Sequence, residues 1–408
     1  PEIILTITDP NGNEITSLGN LTYGTYNGVS GFDVTTKTGL FAIANNYEIT
    51  SNSSTTYTEH DWNITLTYLN LNIDQSGNYG NSFETKLYLQ KEEKELTATD
   101  VCPGKSLSDC VIAQYTGIKN SNIYYHDSNL TNGAGDNSYR YAGASDQVNN
   151  YICFGSNVTP CPADNLYRII GVFGDKVKLI KSDYATTALL GTDGDYKDKY
   201  IYESSNYKGN NLANIAAFYW NKSNQNTWSL SNLNKTNLNT NFITNIGADW
   251  AAKIADTTWK VGGNTWANIG TQPAKTAYQN EIVNPVTTNS QDNATELKAK
   301  IGLMYVSDYM YAAPQDKWTL VGYNGSDASK DYRAATSVNW MYMGLYEWTI
   351  SRIADYSSYA FYVNYAGYVN CNTVGNSAYG VRPVFNLSSS VKFSSGDGTS
   401  SNPIRLEL

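Results

Sequence analysis

Apolar and polar residues alternate with a period of two in several short stretches of the first 95 residues. Such alternation predicts β-strands that bury one face. The stretches are residues 3–7, 31–34, 40–43, 62–68 and 83–89. The sequence Asp9-Pro10-Asn11-Gly12, directly after the first strand, is typical of a tight turn with proline at its second position. Short strands separated by glycine and asparagine predict an Ig-like β-sandwich of about seven strands over residues 1–95.

The pattern changes beyond residue 165, where strand-like and helical spacings both occur. Residues 167–173 and 176–180 are predicted strands, and Gly174-Asp175 between them is typical of a hairpin turn. Further predicted elements are a helix at 211–220, a helix at 242–255, a strand at 299–305, and a helix at 307–312 that Ser307 caps. The second part of the chain is therefore expected to have a mixed α+β fold.

The one dense run of charged residues, at 91–95, is interpreted as a solvated boundary between domains. We predict a β-sandwich domain at 1–95, a disulfide-bearing linker at 96–165 and a ligand-binding domain at 166–408. The pattern of the first domain is similar to that of β-sandwich domains in secreted Gram-positive surface and matrix proteins. We interpret that domain as a spacer without a site of its own.

Four of the five cysteines form two pairs with the same spacing. Cys102 and Cys110 lie eight positions apart, and so do Cys153 and Cys161. Two local disulfides, formed in an oxidising compartment, are the simplest interpretation. A single four-cysteine metal site is the alternative, but the spacing is wider than the two to four residues typical of zinc sites. Cys371 is then unpaired.

Composition narrows the choice of partners. At 408 residues the chain is long enough for two or three domains, and its 34 tyrosines and 9 tryptophans can build a substantial core. Charged residues make up only 16%, and the net charge of −9 argues against a nucleic-acid partner. No apolar stretch is long enough to predict a membrane span.

The chain starts at Pro1 without a signal-like segment. We interpret it as a form whose export signal has been removed, with an extracellular or cell-surface location.

The chain has only two histidines, which limits the catalytic and metal-binding sites that it can form. His60 and His126 are the only histidines, and neither lies in a recognisable catalytic or metal-binding motif. Gly262-Gly263-Asn264 lacks the strand and helix that a phosphate-binding loop needs. We therefore expect no enzyme activity, no metal site and no cofactor, although the many Asp and Asn residues leave room for a structural Ca²⁺.

Residues 344–387 differ in character from the rest of the chain. Tyr, Asn and Ser recur there at almost every second or third position, between the short motifs Glu347-Trp348-Thr349 and Gly380-Val381-Arg382-Pro383-Val384. Tyrosine offers a large amphipathic surface at low entropic cost, and Asn and Ser form adaptable hydrogen bonds. Antibody paratopes use the same mixture. The stretch is therefore interpreted as a binding surface held by a scaffold.

Three motifs resemble the C-type lectin fold of the formylglycine-generating-enzyme type. Tyr346-Glu347-Trp348-Thr349 resembles its Trp-Glu-Trp-Thr signature, residues 305–312 resemble its helix after a turn, and residues 380–385 resemble its final Gly-Phe-Arg strand. The resemblance covers residues 166–395, but the insert at 181–298 matches nothing in it. It implies a scaffold of Glu347, Trp348 and Arg382, in which Glu347 and Arg382 form a buried pair. The alternative is that both side chains are exposed.

The residues between these motifs resemble the variable region of proteins that are diversified by retroelements. In that family, adenine-directed mutagenesis yields residues such as Tyr, Asn, Ser, Asp, Thr, Ile and Cys at dispersed positions. The positions of this type are Ile353, Asp355, Tyr356, Tyr359, Tyr365, Tyr368, Asn370, Cys371, Asn372, Thr373, Asn376 and Ser377. Those interpreted as fixed framework are Ala354, Ala360, Val363, Gly367 and Val369. An unpaired, exposed Cys371 is hard to account for in a secreted protein, but randomisation would produce it.

Two related functions are disfavoured by what the segment lacks. An enzyme of the formylglycine-generating type needs a reactive cysteine pair near the end of this domain, where only Cys371 lies. A calcium-dependent sugar lectin would carry Glu-Pro-Asn or Gln-Pro-Asp together with Trp-Asn-Asp. Asn284-Pro285-Val286 and Ala248-Asp249-Trp250 match these patterns only in part.

The resemblance thus implies an extracellular receptor or adhesin that binds an unknown protein or glycan ligand, on a cell or phage surface, through residues 353–377. The alternative is a structural surface-matrix or pilus-like subunit that uses the same face for assembly. An ordinary Tyr/Asn-rich β-hairpin surface would have a similar composition.

Overall fold

A computed structural model of the chain describes residues 1–19, 21–37, 43–44, 60–80, 97–115, 117, 122–202, 204–209, 212–286 and 294–407. The chain divides into two compact units, Pro1–Lys94 and Glu95–Leu408. The architecture is α+β and rich in strands, as predicted. Within the described residues, no helix is both long enough and apolar enough to cross a membrane.

The first unit contains a four-stranded antiparallel sheet in the order β2-β3-β1-β4. Its strands are β1 (Ile3–Thr8), β2 (Tyr23–Tyr26), β3 (Val29–Asp33) and β4 (Asn63–Tyr68). Ile7 and Phe32 are fully buried in a small apolar core beside this sheet. The strands predicted at 3–7, 31–34 and 62–68 are confirmed. The strand predicted at 83–89 lies outside the described residues, and so does all of 40–43 except Ile43.

The second unit is built around a larger antiparallel sheet, in the order β14-β19-β9-β8-β6-β5, with β7 also paired to β8. Its strands are β5 (Ile123–Tyr125), β6 (Tyr139–Tyr141), β7 (Tyr151–Cys153), β8 (Leu166–Phe173), β9 (Lys176–Lys181), β14 (Ile301–Gly302) and β19 (Val384–Leu387). β8 and β9 confirm the predicted hairpin. Gly174 in its turn has a φ of 64°, a conformation that glycine adopts without strain.

Two three-stranded sheets carry the C-terminal segment. One pairs β15 (Glu347–Arg352), β16 (Tyr359–Val363) and β17 (Val369–Thr373), and the other pairs β10 (Tyr196–Lys199), β11 (Ala216–Tyr219) and β18 (Ala378–Tyr379). The remaining strands are β12 (Thr257–Lys260), β13 (Glu296–Ala299), β20 (Phe393–Ser395) and β21 (Arg405–Leu406), paired as β12-β13 and β20-β21.

The helices are short. They are α1 (Ala98–Val101), α2 (Leu107–Ala113), α3 (Thr187–Leu190), α4 (Ile243–Asn245), α5 (Ala248–Ala251), α6 (Ala274–Tyr278) and α7 (Val306–Tyr311). Two wider helical segments, Leu233–Phe242 and Gln279–Val283, run into α4 and follow α6. Single 3₁₀ turns occupy Ser76–Asn78, Ala163–Asn165, Leu212–Asn214, Trp228–Leu230, Trp266–Gly270, Gln315–Lys317, Ala328–Lys330 and Tyr332–Ala335.

Three predicted elements need correction. The helix predicted at 211–220 is wrong, because Ala216–Tyr219 forms β11, a strand paired on both sides by β10 and β18. The helix predicted at 242–255 is interrupted at Gly247, whose φ of 88° is incompatible with an α-helix. The strand predicted at 299–305 is reduced to the end of β13 and to β14.

The helix predicted at 307–312 is present as α7, but Ser307 does not cap it. Ser307 lies inside the first turn, and the Glu281 carboxylate accepts hydrogen bonds from the backbone N–H groups of Val306 at 3.1 Å and Ser307 at 3.0 Å. A carboxylate 25 residues away in sequence thus satisfies groups that a local serine was expected to satisfy.

Both predicted disulfides are present. Cys102 is bonded to Cys110 and Cys153 to Cys161. The segment that carries them, predicted as a linker at 96–165, belongs to the second compact unit. Its strands β6 and β7 extend the larger sheet by pairing with β8.

Candidate ligand-binding surface

The two motifs that flank the C-terminal segment are joined by a buried ion pair. Arg382 donates from Nε to Glu347 Oε1 at 2.7 Å and from Nη2 to Glu347 Oε2 at 3.0 Å. Both side chains are at most 2% exposed, so the predicted buried pair is present. Burial opposes the charge on Arg382, but the attraction of Glu347 outweighs it and raises the pKa of the guanidinium. The paired charges fix the geometry of the two motifs.

Backbone contacts join the same motifs. The Trp348 N–H donates to the Gly380 carbonyl, and the Gly380 N–H donates to the Tyr346 carbonyl, each at 3.1 Å. Gly380 has to be glycine, because a Cβ there would lie 2.7 Å from the Tyr184 ring. Trp348 is fully buried and its indole N–H donates to the Phe218 carbonyl at 2.9 Å. The frame is therefore rigid on both sides of the candidate surface.

Strand alternation divides the side chains of β16 and β17 between two faces. Phe361 lies opposite Cys371 and Val363 opposite Val369 on one face, which is buried. Tyr362 lies opposite Asn370 on the other face. The positions predicted to form one surface are therefore distributed over both faces of the sheet.

A cluster of tyrosines covers the side of the sheet that bears Tyr362. Tyr346 is its centre, with ring centroids 5.0 Å from Tyr379 in a stacked arrangement, 5.7 Å from Tyr362, 5.3 Å from Tyr365 and 5.6 Å from Tyr202. We call these five residues the tyrosine patch. Tyr202 and Tyr365 are 49% and 41% exposed, so they present their rings to solvent.

Polar groups surround the tyrosine patch. The Asn372 side-chain amide donates to the Tyr379 hydroxyl at 2.7 Å. Nearby, Tyr368 packs on Tyr323 with centroids 4.7 Å apart, and the Arg333 guanidinium lies 5.4 Å from the Tyr368 ring centroid. Arg333 is held by the buried carboxylate of Asp331 at 2.6 Å. The aromatic rings and the Asn372 amide at the patch suit contacts by shape and hydrogen bonding.

A second aromatic cluster lies at the other end of β16. Trp266, from the insert, has its ring centroid 5.3 Å from both Tyr356 and Tyr359. Asp355 accepts a hydrogen bond from the Trp266 backbone N–H at 2.8 Å. Trp266 is 44% and Tyr356 is 49% exposed. We call Trp266, Tyr356 and Tyr359 the tryptophan patch.

The twelve predicted contact positions differ in exposure. Those that reach solvent in full or in part are Asp355, Tyr356, Tyr359, Tyr365, Tyr368, Asn370, Asn372, Thr373, Asn376 and Ser377. Ile353 is fully buried and Cys371 is only 7% exposed, so neither is placed to contact a ligand. The expectation that Cys371 is exposed is wrong, because the alternation of β17 turns its side chain toward Phe361 and the core.

Burial should make Cys371 unreactive. Burial raises the pKa of its thiol to about 12, so almost no thiolate is present at neutral pH. We expect Cys371 in the native protein to react with Ellman's reagent at pH 8 at least ~100-fold more slowly than in 6 M urea. The four disulfide-bonded cysteines do not interfere with this single-thiol measurement as long as no reductant is added. Rapid stoichiometric labelling of the native protein would contradict the buried placement.

The positions interpreted as framework are all buried. They are Ala354, Ala360, Val363, Gly367 and Val369. Gly367 has a φ of 96°, and a Cβ there would lie 2.2 Å from the Thr336 side chain. The buried framework positions therefore lie between positions that reach solvent, and residues 360–364 form a continuous buried run.

A cluster of buried charges lies beneath α7, and the motifs did not indicate it. Asp308 is fully buried and accepts a hydrogen bond from Lys178 at 2.5 Å, with Arg140 at 3.8 Å. Glu281, also buried, accepts from the Ser351 hydroxyl as well as from the α7 backbone. Burial raises the pKa of the Glu281 carboxyl to about 7. Since Ser351 directly precedes the candidate surface in β15, this cluster anchors one end of it.

His126 is held within the core by a hydrogen bond and by aromatic packing. His126 is fully buried, accepts from the Ala134 N–H at 3.1 Å and packs edge-on against Tyr311. Within the described part of the chain, no group of three or more His, Cys, Asp or Glu side chains is arranged to hold a metal ion.

Several residues of the candidate surface could not be found from the motifs. Tyr202 and Trp266 lie in the insert at 181–298, far in sequence from the segment that they contact. Tyr346 lies within the first motif and Tyr379 directly precedes the second, but neither was among the predicted contact positions. Comparison of the chain with models of known protein families, with curated proteins and with solved structures found no match.

Proposed function

We propose that the protein is an extracellular ligand-binding protein that contacts its ligand through the solvent-exposed members of the tyrosine patch and the tryptophan patch and through the exposed positions between 355 and 377. The observation that carries this proposal is the division of the segment into buried framework positions and exposed Tyr, Asn, Ser, Thr and Asp positions. Exposed aromatic rings supply contact area and the neighbouring amides supply hydrogen bonds. The two disulfides are in keeping with an oxidising compartment.

The fold of the second unit is proposed to be of the C-type lectin type found in formylglycine-generating enzymes, after an Ig-like first unit. The buried Glu347–Arg382 pair, the sheet β15-β16-β17 and α7 support this proposal, because each of them contains residues of the three motifs. Diversification of the surface by a retroelement would account for its residue types. The ligand, a protein or a glycan, would then differ between variants while the frame stays constant.

The genomic neighbourhood tests the diversification. We expect an imperfect copy of the codons for residues 350–385 that differs from them only at adenines and lies beside a reverse-transcriptase gene. If no such copy exists, the surface is not diversified, and the protein is an adhesin or a matrix subunit with a constant face. An assembly role would be recognised by concentration-dependent self-association in sedimentation velocity.

Exposed positions should tolerate substitution. The triple variant Tyr356→Ala, Tyr365→Ala and Asn376→Ala should change stability by about 0.5 kcal/mol or less at each position, because surface side chains contribute little to folding. The control Ile353→Ala removes a fully buried side chain and should cost about 2–5 kcal/mol. Thermal unfolding measures both. If the triple variant were as unstable as the control, the three side chains would belong to the core and not to a contact surface.

Binding is tested with a library of the full chain. The ten positions that reach solvent are randomised to Tyr, Asn, Ser, Asp, Thr and Ile, displayed, and selected against an immobilised folded protein such as lysozyme. A matched library randomises the five buried framework positions. We expect binders only from the first library, because only its changes alter the surface without unfolding it. Equal yields from the two libraries, or no binders from either, would argue against a paratope-like surface.

A further inference from the structure

The variable loops are held in place by an element that the motifs did not indicate. Residues 216–226, inside the insert at 181–298, run beneath both ends of the candidate surface. β11 pairs with β18, and the Trp220 indole N–H donates to the Thr349 carbonyl at 2.9 Å. Trp220 is fully buried, so this contact is shielded from water.

Asn226 is the central residue of this element. Its side-chain amide lies within hydrogen-bond distance of three carbonyl oxygens of one loop, Ile353 at 2.9 Å, Tyr356 at 2.6 Å and Tyr359 at 2.9 Å. Its backbone N–H donates to the Ser357 carbonyl at 2.7 Å. Asn226 is fully buried. Asn226 therefore reinforces the closure of the loop between β15 and β16, which the Ile353 N–H also closes by donating to the Tyr359 carbonyl at 3.0 Å.

The turn between β17 and β18 is held from the same element. The Asn221 N–H donates to the Val374 carbonyl at 3.1 Å, and the Gly375 N–H donates to the Asn224 side-chain oxygen at 3.3 Å. A Cβ at Gly375 would lie 2.8 Å from the Asn224 side chain, so the two backbones approach closely.

In the variable segment, all of these contacts are made to backbone C=O and N–H groups. Every amino acid other than proline has both groups. Replacement of Tyr356 or Tyr359 by Asn or Ser would leave the Asn226 hydrogen bonds in place. These hydrogen bonds are therefore independent of the side chains that the loop displays, whereas the hydrogen bond from the Trp266 N–H to Asp355 depends on a displayed side chain.

We propose that residues 216–226 are a positioning element that fixes the variable loops through their backbone, with Asn226 as its central residue. The proposal rests on the proposed function only for the consequence that the loops can vary. It gives the insert a role: it makes the display of different side chains compatible with one backbone. A preorganised backbone also reduces the conformational entropy lost when a ligand binds.

Hydrogen exchange of the full chain tests the element itself. In Asn226→Ala we expect the amides of residues 353–359 to exchange at least ~10-fold faster than in the unmodified protein, beyond any change shared by the larger sheet. Asn237→Ala is the matched control, because Asn237 is also fully buried and its amide donates to the carbonyls of Leu190 and Asp193, outside the variable segment. The control should not accelerate residues 353–359 selectively. Unchanged local exchange in Asn226→Ala would overturn the proposal.

Asn226→Ser keeps a single donor and serves if the alanine variant does not fold. It should accelerate the same amides to a smaller extent, and no local acceleration in this variant would equally overturn the proposal.

The ten-position library is then built on Asn226→Ser and on Asn237→Ser. We expect the folded fraction, scored by protease resistance, to fall at least ~10-fold more in the first background. If local exchange is faster but the two libraries have equal folded fractions, residues 216–226 position the loops but do not make their diversification possible.

Discussion

Replacement of Arg382 by methionine should lower the free energy of unfolding of the second unit by about 3–5 kcal/mol, because it leaves the Glu347 carboxylate buried without its partner. The guanidinium also donates to the Met341 carbonyl at 2.7 Å, which would lose a buried hydrogen bond. Urea unfolding followed by tryptophan fluorescence measures the effect. Every tryptophan except Trp62 lies in the second unit, so the signal reports on it.

Two further variants separate pairing from packing. Glu347→Leu combined with Arg382→Met removes both charges and should be less destabilised than Arg382→Met alone, since no buried charge remains unpaired. Lys317→Met breaks an ion pair with Asp316 in which the side chains are 32% and 67% exposed, and should cost less than about 1 kcal/mol. If Arg382→Met were as mild as Lys317→Met, the pair would not hold the two motifs together.

The stability contributed by Glu281 should fall as the pH rises from 5 to 8. Its pKa is about 7 in the folded protein, because of burial, and 4.5 is its ordinary value. A raised pKa means that folding favours the protonated carboxyl, so the contribution is complete below pH 4.5 and is lost as the pH passes through 7. At about 1.4 kcal/mol per pH unit between 4.5 and 7, the complete loss is about 3–4 kcal/mol, of which about 2–3 kcal/mol falls between pH 5 and pH 8. Asp308 and Lys178 also face this carboxyl, so the group titrates within the buried cluster.

The experiment compares urea unfolding of the protein and of Glu281→Gln between pH 5 and pH 8. We expect the free energy of unfolding of the unmodified protein, minus that of Glu281→Gln, to fall by about 2–3 kcal/mol from pH 5 to pH 8. His126 acts in the opposite direction, because burial and Arg140 lower its pKa well below 6.5 and its contribution is lost as the pH falls. That effect is common to both proteins and cancels in the difference. Parallel pH profiles would show that Glu281 does not titrate in this range.

Local features of the fold were predictable from the sequence because they depend on neighbours. The β8–β9 hairpin follows from alternation on both sides of Gly174-Asp175. Both disulfides close loops of the same short length, so the pairing of the cysteines could be predicted from their spacing without knowledge of the fold. The Glu347–Arg382 pair was predictable because each residue lies in a motif of its own and polar residues of that kind are seldom buried alone.

The helix predicted at 211–220 failed for the opposite reason. The run Ala216–Tyr219 is short and apolar, and such a run is compatible with a helix or with a buried strand. Partners on both sides, β10 and β18, decide between them, and β18 lies about 160 residues further along the chain. The prediction that Ser307 caps α7 is wrong for a similar reason, because Glu281 accepts hydrogen bonds at this helix end from a distant segment.

Composition and spacing identified the residues that have the chemistry of a contact surface and the motifs that flank them. Tertiary structure alone decided which of those residues are exposed, burying Ile353 and Cys371 and adding Tyr202 and Trp266 from the insert. It also placed Asn226 against the Tyr356 carbonyl, 130 positions away. The physical reason is that side-chain periodicity depends on the local backbone, whereas burial depends on which distant segment covers each face.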